Sequence, residues 1–281
     1  MSKPYKFGVL GHNISYSRSG DIFDAMCRHV GIEAEFRVVS VEPSELHTAL
    51  GWVRSKGFTG LSVTIPFKES IVRFMDTLNP VALALRAVNA VAITDGGLIG
   101  SNTDRAGCNE ALRPHSGLLR DGRATILGCG GAARAVVYSL TTDYGMDDIL
   151  VLGRSQSKLQ EFHKLLSSCT SERAISIGLL SEYDQAEMSR RDVIINCTPL
   201  GGPNHPNQSP LPASFDWSMT RLYFDLNYNE GIKIVSEARD AGVTALDGST
   251  MLVAQAARSL QEWTGMEADV EAVHREVFGE K

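Results

Sequence analysis

Two residues in this chain have the chemistry for proton transfer and a position that suits it. Lys68 follows the apolar run Leu61–Ile65 and Pro66, so it stands where a strand gives way to a helix. Asp104 closes the polar stretch Gly100-Ser101-Asn102-Thr103-Asp104, also ahead of a helical pattern. Interconverting a ketone and an alcohol needs a hydride donor at carbon and a proton relay at oxygen. A lysine can be that relay when desolvation weakens its hold on the proton, and an aspartate beside it would fix its position while working in the opposite direction. Taken singly, each has the plainer reading of a surface charge, and spacing along the chain does not show that they meet.

A seat for a hydride carrier is suggested by Thr125-Ile126-Leu127-Gly128-Cys129-Gly130-Gly131-Ala132-Ala133-Arg134. An apolar run ends in a glycine turn that opens an alanine-rich helical pattern, with the G-x-G-x-x-A spacing of a dinucleotide fingerprint. The glycines allow a tight turn, close approach of a pyrophosphate to backbone, and packing of helix on strand. The first N–H groups of the helix then favour the phosphate charge. On this reading Gly128, Cys129, Gly130, Gly131 and Ala132 line the cofactor, although such a turn can also serve structure alone. The next expected strand ends at Gly153-Arg154-Ser155-Gln156-Ser157-Lys158. An NAD site places an acid there, about 20 residues past the glycines, on the ribose 2′-hydroxyl. No acid is present. Arg154 and Lys158 offer charge, and Ser155 a hydroxyl, for an added 2′-phosphate, which favours NADP. The plainer reading is a pair of solvated cations at a helix start.

Other polar residues could orient a substrate. Ser15 and Ser17 alternate, so both hydroxyls could reach one carboxylate; a cap for the following helix is the plainer alternative. Asn89 sits in an otherwise apolar stretch and must find partners if buried, either in a polar substrate or in a neighbouring loop.

Positioning these groups takes a strand–helix alternation that runs along the chain. Strands are expected at Lys6–Leu10, Phe36–Val39, Leu61–Ile65 and Ala87–Ile93. Helices are expected over the face Ile22, Phe23, Met26 and Val30, and over Ser44–Lys56 with Ser44 as N-cap. Strand followed by helix favours a parallel sheet, while Asp95-Gly96-Gly97 turns the chain back as a hairpin. The alternation restarts at Arg123, with strands expected at Ala124–Leu127, Ile149–Leu152, Ala174–Ile177, Asp192–Asn196, Leu222–Leu226 and Val243–Ala245. Helices fall near Ala132–Thr142, at Ser157–Leu166 and after Glu230, which makes a compact Rossmann-like unit. Two further helical patterns, Met251–Trp263 and Asp269–Val277, are free to pack back on the first domain. The fold class is α/β, in two domains.

The bulk numbers agree with a soluble enzyme. The 281 residues are 43% hydrophobic and 21% charged, which suits an ordinary globular protein rather than a disordered or membrane-bound one. A formal net charge of -6 argues against a general nucleic-acid binder. Met1-Ser2-Lys3-Pro4 lacks a signal-peptide pattern, and the best apolar run, Pro80 to Ile93, is broken by Arg86 and Asn89. The five cysteines form no C-x-x-C pair and read as reduced thiols of a cytoplasmic protein. The expected partner is a small-molecule substrate, with no metal, nucleic acid or membrane, in a monomer or homodimer.

Taken together, the motifs resemble those of the shikimate dehydrogenases from end to end. They are Ser15-Tyr16-Ser17, Val63-Thr64-Ile65-Pro66-Phe67-Lys68, Ala87-Val88-Asn89, Gly100-Ser101-Asn102-Thr103-Asp104 and Gly128-Cys129-Gly130-Gly131-Ala132-Ala133-Arg134. Further on come Asn196-Cys197-Thr198-Pro199-Leu200-Gly201, Asp225-Leu226-Asn227-Tyr228-Asn229 and Met251-Leu252-Val253-Ala254-Gln255. The resemblance implies NADP-dependent interconversion of 3-dehydroshikimate and shikimate, a step of aromatic amino-acid biosynthesis. It implies Lys68 and Asp104 as the catalytic pair and Ser15 and Ser17 on the substrate carboxylate. Thr64, Asn89, Asp104 and Gln255 would hold the ring hydroxyls, with Tyr228 close by. Thr198, the backbone at Leu226, and Thr250 would border the cofactor. It also implies a substrate domain of residues 1–104 plus 248–281, an inserted NADP-binding domain of 105–247, and a cleft between them as the site.

Some positions depart from the family pattern. Ser62 replaces an asparagine, Arg105 a glycine, Gly153 an asparagine, Gly202 a methionine and Thr250 a glycine. These bear on substrate preference and cofactor affinity rather than on the reaction class. Two alternatives stay open: a quinate dehydrogenase, against which Ser17 and the Arg154/Lys158 pair weigh, and a catalytically silent metabolite-binding regulator, against which Lys68 and Asp104 weigh.

Overall fold

The computed structural model describes residues 4–170, 174–229 and 231–279. Residues 1–3, on which the signal-peptide expectation bears, and Glu230, named as the start of a helix, lie outside them. Two compact units emerge, one drawn from 1–107 and 252–281, the other from 108–251. The crossings lie a few residues later than expected because continuous helices, Asp104–Leu112 and Ser249–Thr264, run through both of them.

The first unit holds a six-stranded sheet of β1 (Tyr5–Gly11), β2 (Ala34–Ser40), β3 (Gly60–Val63), β4 (Thr77–Leu78), β5 (Ala90–Thr94) and β6 (Gly97–Ser101), in the order β2-β1-β3-β5-β6-β4. The expected parallel sheet is here a mixed one. β1 pairs in parallel with β2 and β3, but β5 runs antiparallel to both β3 and β6. The short Asp95-Gly96 turn leaves no length for a crossover, so β5 and β6 can pair only as a hairpin.

Side chains alternate across this sheet, and each face is covered. Leu10, Leu61 and Val63 pack with Leu46, Leu50, Val53, Phe67 and Ile71 on one side. Phe7 packs with Ile22, Phe23, Met26, Val253, Leu260 and Val273 on the other. Trp263 stacks on both Phe7 and Phe23 at 5.4 Å between ring centroids. Full burial of an aromatic or aliphatic side chain contributes roughly 1.5–3 kcal/mol, so this cluster ties the C-terminal helix to the N-terminal sheet. A Cβ on Gly60 would collide with the Trp263 ring, so only glycine fits there.

Local details differ from the sequence reading for identifiable reasons. Ser44 is not an N-cap. It lies inside a 3-10 turn, Pro43–Glu45, that Glu42 and Glu45 close as a reciprocal capping box, and the α-helix begins at Leu46. The strand expected from Ala87 begins only at Ala90, because the Val88 N–H donates to the Lys68 carbonyl at 2.7 Å. A helix unforeseen in the sequence, Pro80–Leu85, starts where the Asn79 side chain accepts from the Ala82 N–H.

The second unit is built on β7 (Ala124–Leu127), β8 (Ile149–Gly153), β9 (Ile175–Leu179), β10 (Val193–Asn196), β11 (Leu222–Asp225) and β12 (Thr244–Leu246). All neighbours are parallel, in the order β12-β11-β10-β7-β8-β9. The winding reverses between β7 and β10, which leaves a crevice of the kind where such sheets take a dinucleotide. Among the described residues no helix is long and apolar enough to cross a membrane, and no group of three metal-ligating side chains gathers.

Candidate active site

The hairpin gathers the polar residues of the first unit at one end of its sheet. Ser62 of β3 faces Ala90 of β5, and Ala90 faces Ser101 of β6. The chain leaving β3 (Thr64 to Lys68), the residue entering β5 (Asn89) and the chain leaving β6 (Thr103, Asp104) therefore emerge side by side. Lys68 lies in a short helix, Phe67–Ser70, and Asp104 is the first residue of Asp104–Leu112. A carboxylate is favoured there by the helix dipole.

The two side chains meet. Lys68 Nζ donates to Asp104 Oδ2 at 2.6 Å, with the lysine side chain 16% exposed and the aspartate 5%. The other carboxylate oxygen, Oδ1, accepts from Asn89 Nδ2 at 3.0 Å. Both carboxylate oxygens of Asp104 thus face a donor. The Asn89 amide is held by Thr103, whose backbone N–H donates to Asn89 Oδ1 at 2.6 Å. Its Nδ2 also reaches Thr103 Oγ1 at 2.9 Å and Gln255 Oε1 at 3.0 Å. Lys68, Asn89, Asp104 and Gln255 thus form one connected cluster, with Gln255 supplied by the helix Ser249–Thr264.

The remaining substrate-site candidates of this unit stand near one another but outside that cluster of hydrogen bonds. The Thr64 N–H donates to Leu10, and the His12 N–H to Ile65, which stitches the turn after β3 to the loop after β1. Ser15 is exposed and Ser17 half-buried on that loop. Ser17 Oγ donates to Ser19 Oγ at 3.0 Å and accepts the Ser19 N–H at 3.3 Å, a local turn just ahead of the helix Ser19–Val30. Both hydroxyls lie beyond the N-cap, which is Arg18.

In the second unit the glycine turn occupies the crevice between β7 and β10. Gly128 has φ +105°, a conformation that demands glycine, and its missing Cβ would press on Thr198 Cγ2 and on the Cys197 backbone. Gly130 is different: a Cβ there would meet open space. It precedes the twelve-residue helix Gly131–Thr142, whose N-cap offers the first N–H groups no side-chain acceptor. Cys129 is half-buried, and its Sγ lies under Gly153 at the end of β8. Arg154 and Lys158 are exposed, Ser155 is half-buried, and neither cation belongs to an ion pair among the described residues.

Thr198 is fixed by Asn196, whose Oδ1 accepts both the Thr198 N–H at 2.9 Å and its hydroxyl at 2.7 Å. The Leu226 N–H donates to the Asn196 carbonyl, and Tyr228 and Thr250 are half-buried in the same unit. Beneath this loop lies a carboxylate that sequence reasoning left without a role. Asp225 is fully buried, accepting from Tyr223 Oη at 2.7 Å, Asn196 Nδ2 at 3.0 Å, and the Asn227 backbone and side-chain amides at 2.9 and 2.7 Å. Burial pushes its pKa up despite these donors, and pushes that of Tyr223 well up.

Comparison with known proteins decides the family. Residues 9–91 match the family model of the shikimate dehydrogenase substrate binding domain, and residues 248–278 that of the shikimate 5'-dehydrogenase C-terminal domain. Shikimate dehydrogenase (NADP(+)) of Methanopyrus kandleri is 32% identical over 273 residues, covering 96% of this chain and 94% of the relative. The chain belongs to the shikimate dehydrogenase family. Among solved family structures, shikimate 5-dehydrogenase of Thermus thermophilus in complex with NADP(H) and shikimate is 29% identical. It superposes with a TM-score of 0.82, covering 97% of this chain and 98% of that one. Quinate dehydrogenase of Corynebacterium glutamicum in complex with NAD is 25% identical with a TM-score of 0.86, covering 99% of each.

Against the shikimate dehydrogenase pattern, two departures have a steric account here. A side chain at Gly202 would run into Asn227 Oδ1 and the Pro199 carbonyl, which leaves no room for a methionine. A Cβ at Gly153 would lie 3.1 Å from Leu159 and 3.3 Å from Cys129 Sγ, which crowds an asparagine. Ser62 is 6% exposed, and its hydroxyl has no hydrogen-bond partner among the described residues. Arg105 is half-buried one residue past the acceptor carboxylate. Thr103 and Ser259 belong to the cluster although the sequence reading assigned them no role; a hydroxyl beside Asp104 is the signal for the first, and the second gives none.

Proposed function

We propose that this protein catalyses the NADP-dependent interconversion of 3-dehydroshikimate and shikimate, as an oxidoreductase of aromatic amino-acid biosynthesis. The observation that carries the reading is the pair Lys68–Asp104, largely shielded from water and held in one orientation by Asn89. In the reductive direction the Lys68 ammonium gives a proton to the carbonyl oxygen as the carbon becomes an alcohol. In the oxidative direction the neutral amine takes the hydroxyl proton. Asp104 keeps the amine aimed, and the lysine's remaining exposure lets solvent restore its proton. Asn89, Thr64 and Gln255 have amide and hydroxyl groups suited to ring hydroxyls. Ser15 and Ser17 would take the carboxylate, the Ser17 proton turning from Ser19 to do so, and Tyr228 would stand near the ring.

The second unit suits NADP. Open space at Gly130 beside uncapped helix N–H groups fits a pyrophosphate lying against Gly128, Cys129, Gly131 and Ala132. Arg154, Lys158 and Ser155, next to Gly153 and with no acid beside them, fit a 2′-phosphate. Thr198, Leu226 and Thr250 are assigned by analogy with the family to the nicotinamide end. When bound, NADPH supplies the hydride. The five free cysteines support a reducing, cytoplasmic setting for a monomer or homodimer.

A second reading, quinate with NAD, rests on the likeness to the quinate dehydrogenase; the Arg154/Lys158 pair weighs against it. Shikimate and quinate assayed against NADP and NAD separate the two by the absorbance of reduced nicotinamide. Shikimate with NADP is expected to give the highest kcat/KM. Lys68→Ala should lower kcat by roughly 10²–10⁴ with little change in KM, the scale of a lost general acid–base. Turnover with quinate and NAD alone, or an unchanged kcat in Lys68→Ala, would overturn the proposal.

A further inference from the structure

The cluster around Asp104 continues inward to a residue that touches neither the lysine nor the carboxylate. Ser259 is fully buried on the helix Ser249–Thr264, one turn past Gln255 and one turn before Trp263. Its Oγ donates to the Gln255 carbonyl at 2.8 Å and lies 3.0 Å from Thr103 Oγ1. A serine hydroxyl has one proton. Because that proton goes to the Gln255 carbonyl, Thr103 must be the donor in the contact between the two hydroxyls. Thr103 Oγ1 is then an acceptor only toward its other partner, Asn89 Nδ2 at 2.9 Å. The donors all point one way: Asn89 amide to Thr103 hydroxyl, Thr103 hydroxyl to Ser259 hydroxyl, Ser259 hydroxyl to helix carbonyl.

We propose that Ser259 is a positioning residue, which through Thr103 fixes the Asn89 amide with its N–H toward Asp104. The proposal rests on the reaction assigned above. The alternative amide orientation would set Asn89 Oδ1 against the Asp104 carboxylate and against Gln255 Oε1. Asn89 Nδ2 has two protons for three acceptors, Thr103, Asp104 and Gln255. Its division among them therefore responds to how well Thr103 accepts. A hydroxyl that is itself donating accepts better, since chained hydrogen bonds polarise one another. Without Ser259 Oγ, the Thr103 proton loses its acceptor in a fully buried place, and the hydroxyl turns to find another. The Asn89 amide then loosens, and Asp104 no longer holds Lys68 in one position.

Two kinds of measurement test this. Ser259→Ala should lower kcat roughly two- to ten-fold, the range of one weakened neutral hydrogen bond, with KM for shikimate changing less. The solvent deuterium isotope effect on kcat should rise as the proton step slows. Ser259→Thr and Ser259→Val add the same methyl and differ only in the hydroxyl. The threonine should retain the wild-type isotope effect and the valine should not, whatever packing strain they share. Independently of turnover, the Asn89 side-chain amide resonances in a ¹H–¹⁵N spectrum should move and exchange faster in Ser259→Ala and Ser259→Val, and stay put in Ser259→Thr. Matching amide spectra and matching isotope effects in the threonine and valine variants would overturn the proposal. Silence of the wild-type enzyme with shikimate and NADP would instead overturn the assigned reaction, while the amide spectra still decide the role of Ser259.

Discussion

Replacing Asp104 by asparagine keeps the shape of the side chain and removes what its surroundings require. Oδ2 accepts from Lys68 Nζ and Oδ1 from Asn89 Nδ2, so both positions face donors. An amide has one acceptor and one donor; in either orientation an N–H is set against another N–H. Losing one partner of a fully buried ion pair costs about 3–5 kcal/mol. Lys68 keeps some contact with water, so about 2–3 kcal/mol is expected here, a fall in Tm of roughly 5–10 °C. Activity should suffer more than stability. With the ammonium no longer aimed, kcat should fall roughly 10²–10³-fold, about 3–4 kcal/mol in the barrier, while KM for shikimate changes much less. The assay is initial-rate kinetics with shikimate and NADP at a temperature where the variant is folded by circular dichroism. Lys68→Met and the double variant complete a cycle; because the residues act as a unit, the double should be little worse than the worse single. A kcat within a few-fold of wild type, or effects that simply add, would refute the pair as a proton relay.

Three further outcomes follow from other parts of the chain. Gly130→Ala points its methyl into open space, so Tm should match wild type while the Kd for NADPH rises at least about ten-fold, since the methyl takes the place of a phosphate contact; titration by the fluorescence of the reduced nicotinamide checks it, and unaltered affinity would remove the pyrophosphate from that spot. Gly60→Ala forces a methyl into the Trp263 ring, and should cost about 1–3 kcal/mol by overpacking, read as a lower denaturation midpoint. Alkaline stability should fall in two stages. Burial raises the Cys27 thiol from 9.0 to about 11 and the Tyr144 phenol from 10.0 to about 12. Both groups hold their protons more tightly folded than unfolded, so their contribution is full below the ordinary values and is lost as pH rises through the raised ones. Tm in Cys27→Ala should decline less between pH 9 and 11 than in wild type; parallel declines would count against it.

Some levels of this structure are plain in the sequence and others are hidden, for physical reasons. The second unit is readable because each of its strands is a short apolar run closed by a turn, and because parallel neighbours in such a unit follow from chain order. The glycine at 128 is readable because a backbone constraint leaves a residue-type signature; the one at 130 is readable only from its spacing to 128, since its backbone is ordinary and a Cβ there meets open space. In the first unit the elements are visible but the direction of β5 against β3 is not, since strand pairing depends on partners rather than on local pattern. The extended run from Ala87 is cut short by hydrogen bonds from distant backbone, which no window of sequence contains. Ser44 has the residue type of a cap, yet the proline before it and a pair of glutamates set the helix start instead. Ser259 gives no signal at all: a serine in a helix of apolar neighbours has meaning only beside Thr103, 156 positions away.

The split origin of the first unit has a consequence for how the protein is made. Gln255, Ser259 and Trp263 recur every four residues along one stripe of one helix, so the amide that joins the Asn89 cluster and the ring that packs in the core arrive together. During synthesis the sheet of the first unit is finished long before that stripe leaves the ribosome, and until then Phe7 and Phe23 lack their stacking partner. The inserted unit, continuous in sequence, can close on its own in the meantime. The hydrogen-bond cluster around Asn89 therefore closes only after the whole insert has been translated, which makes the protease resistance of stalled chains of graded length a timer for that long-range contact.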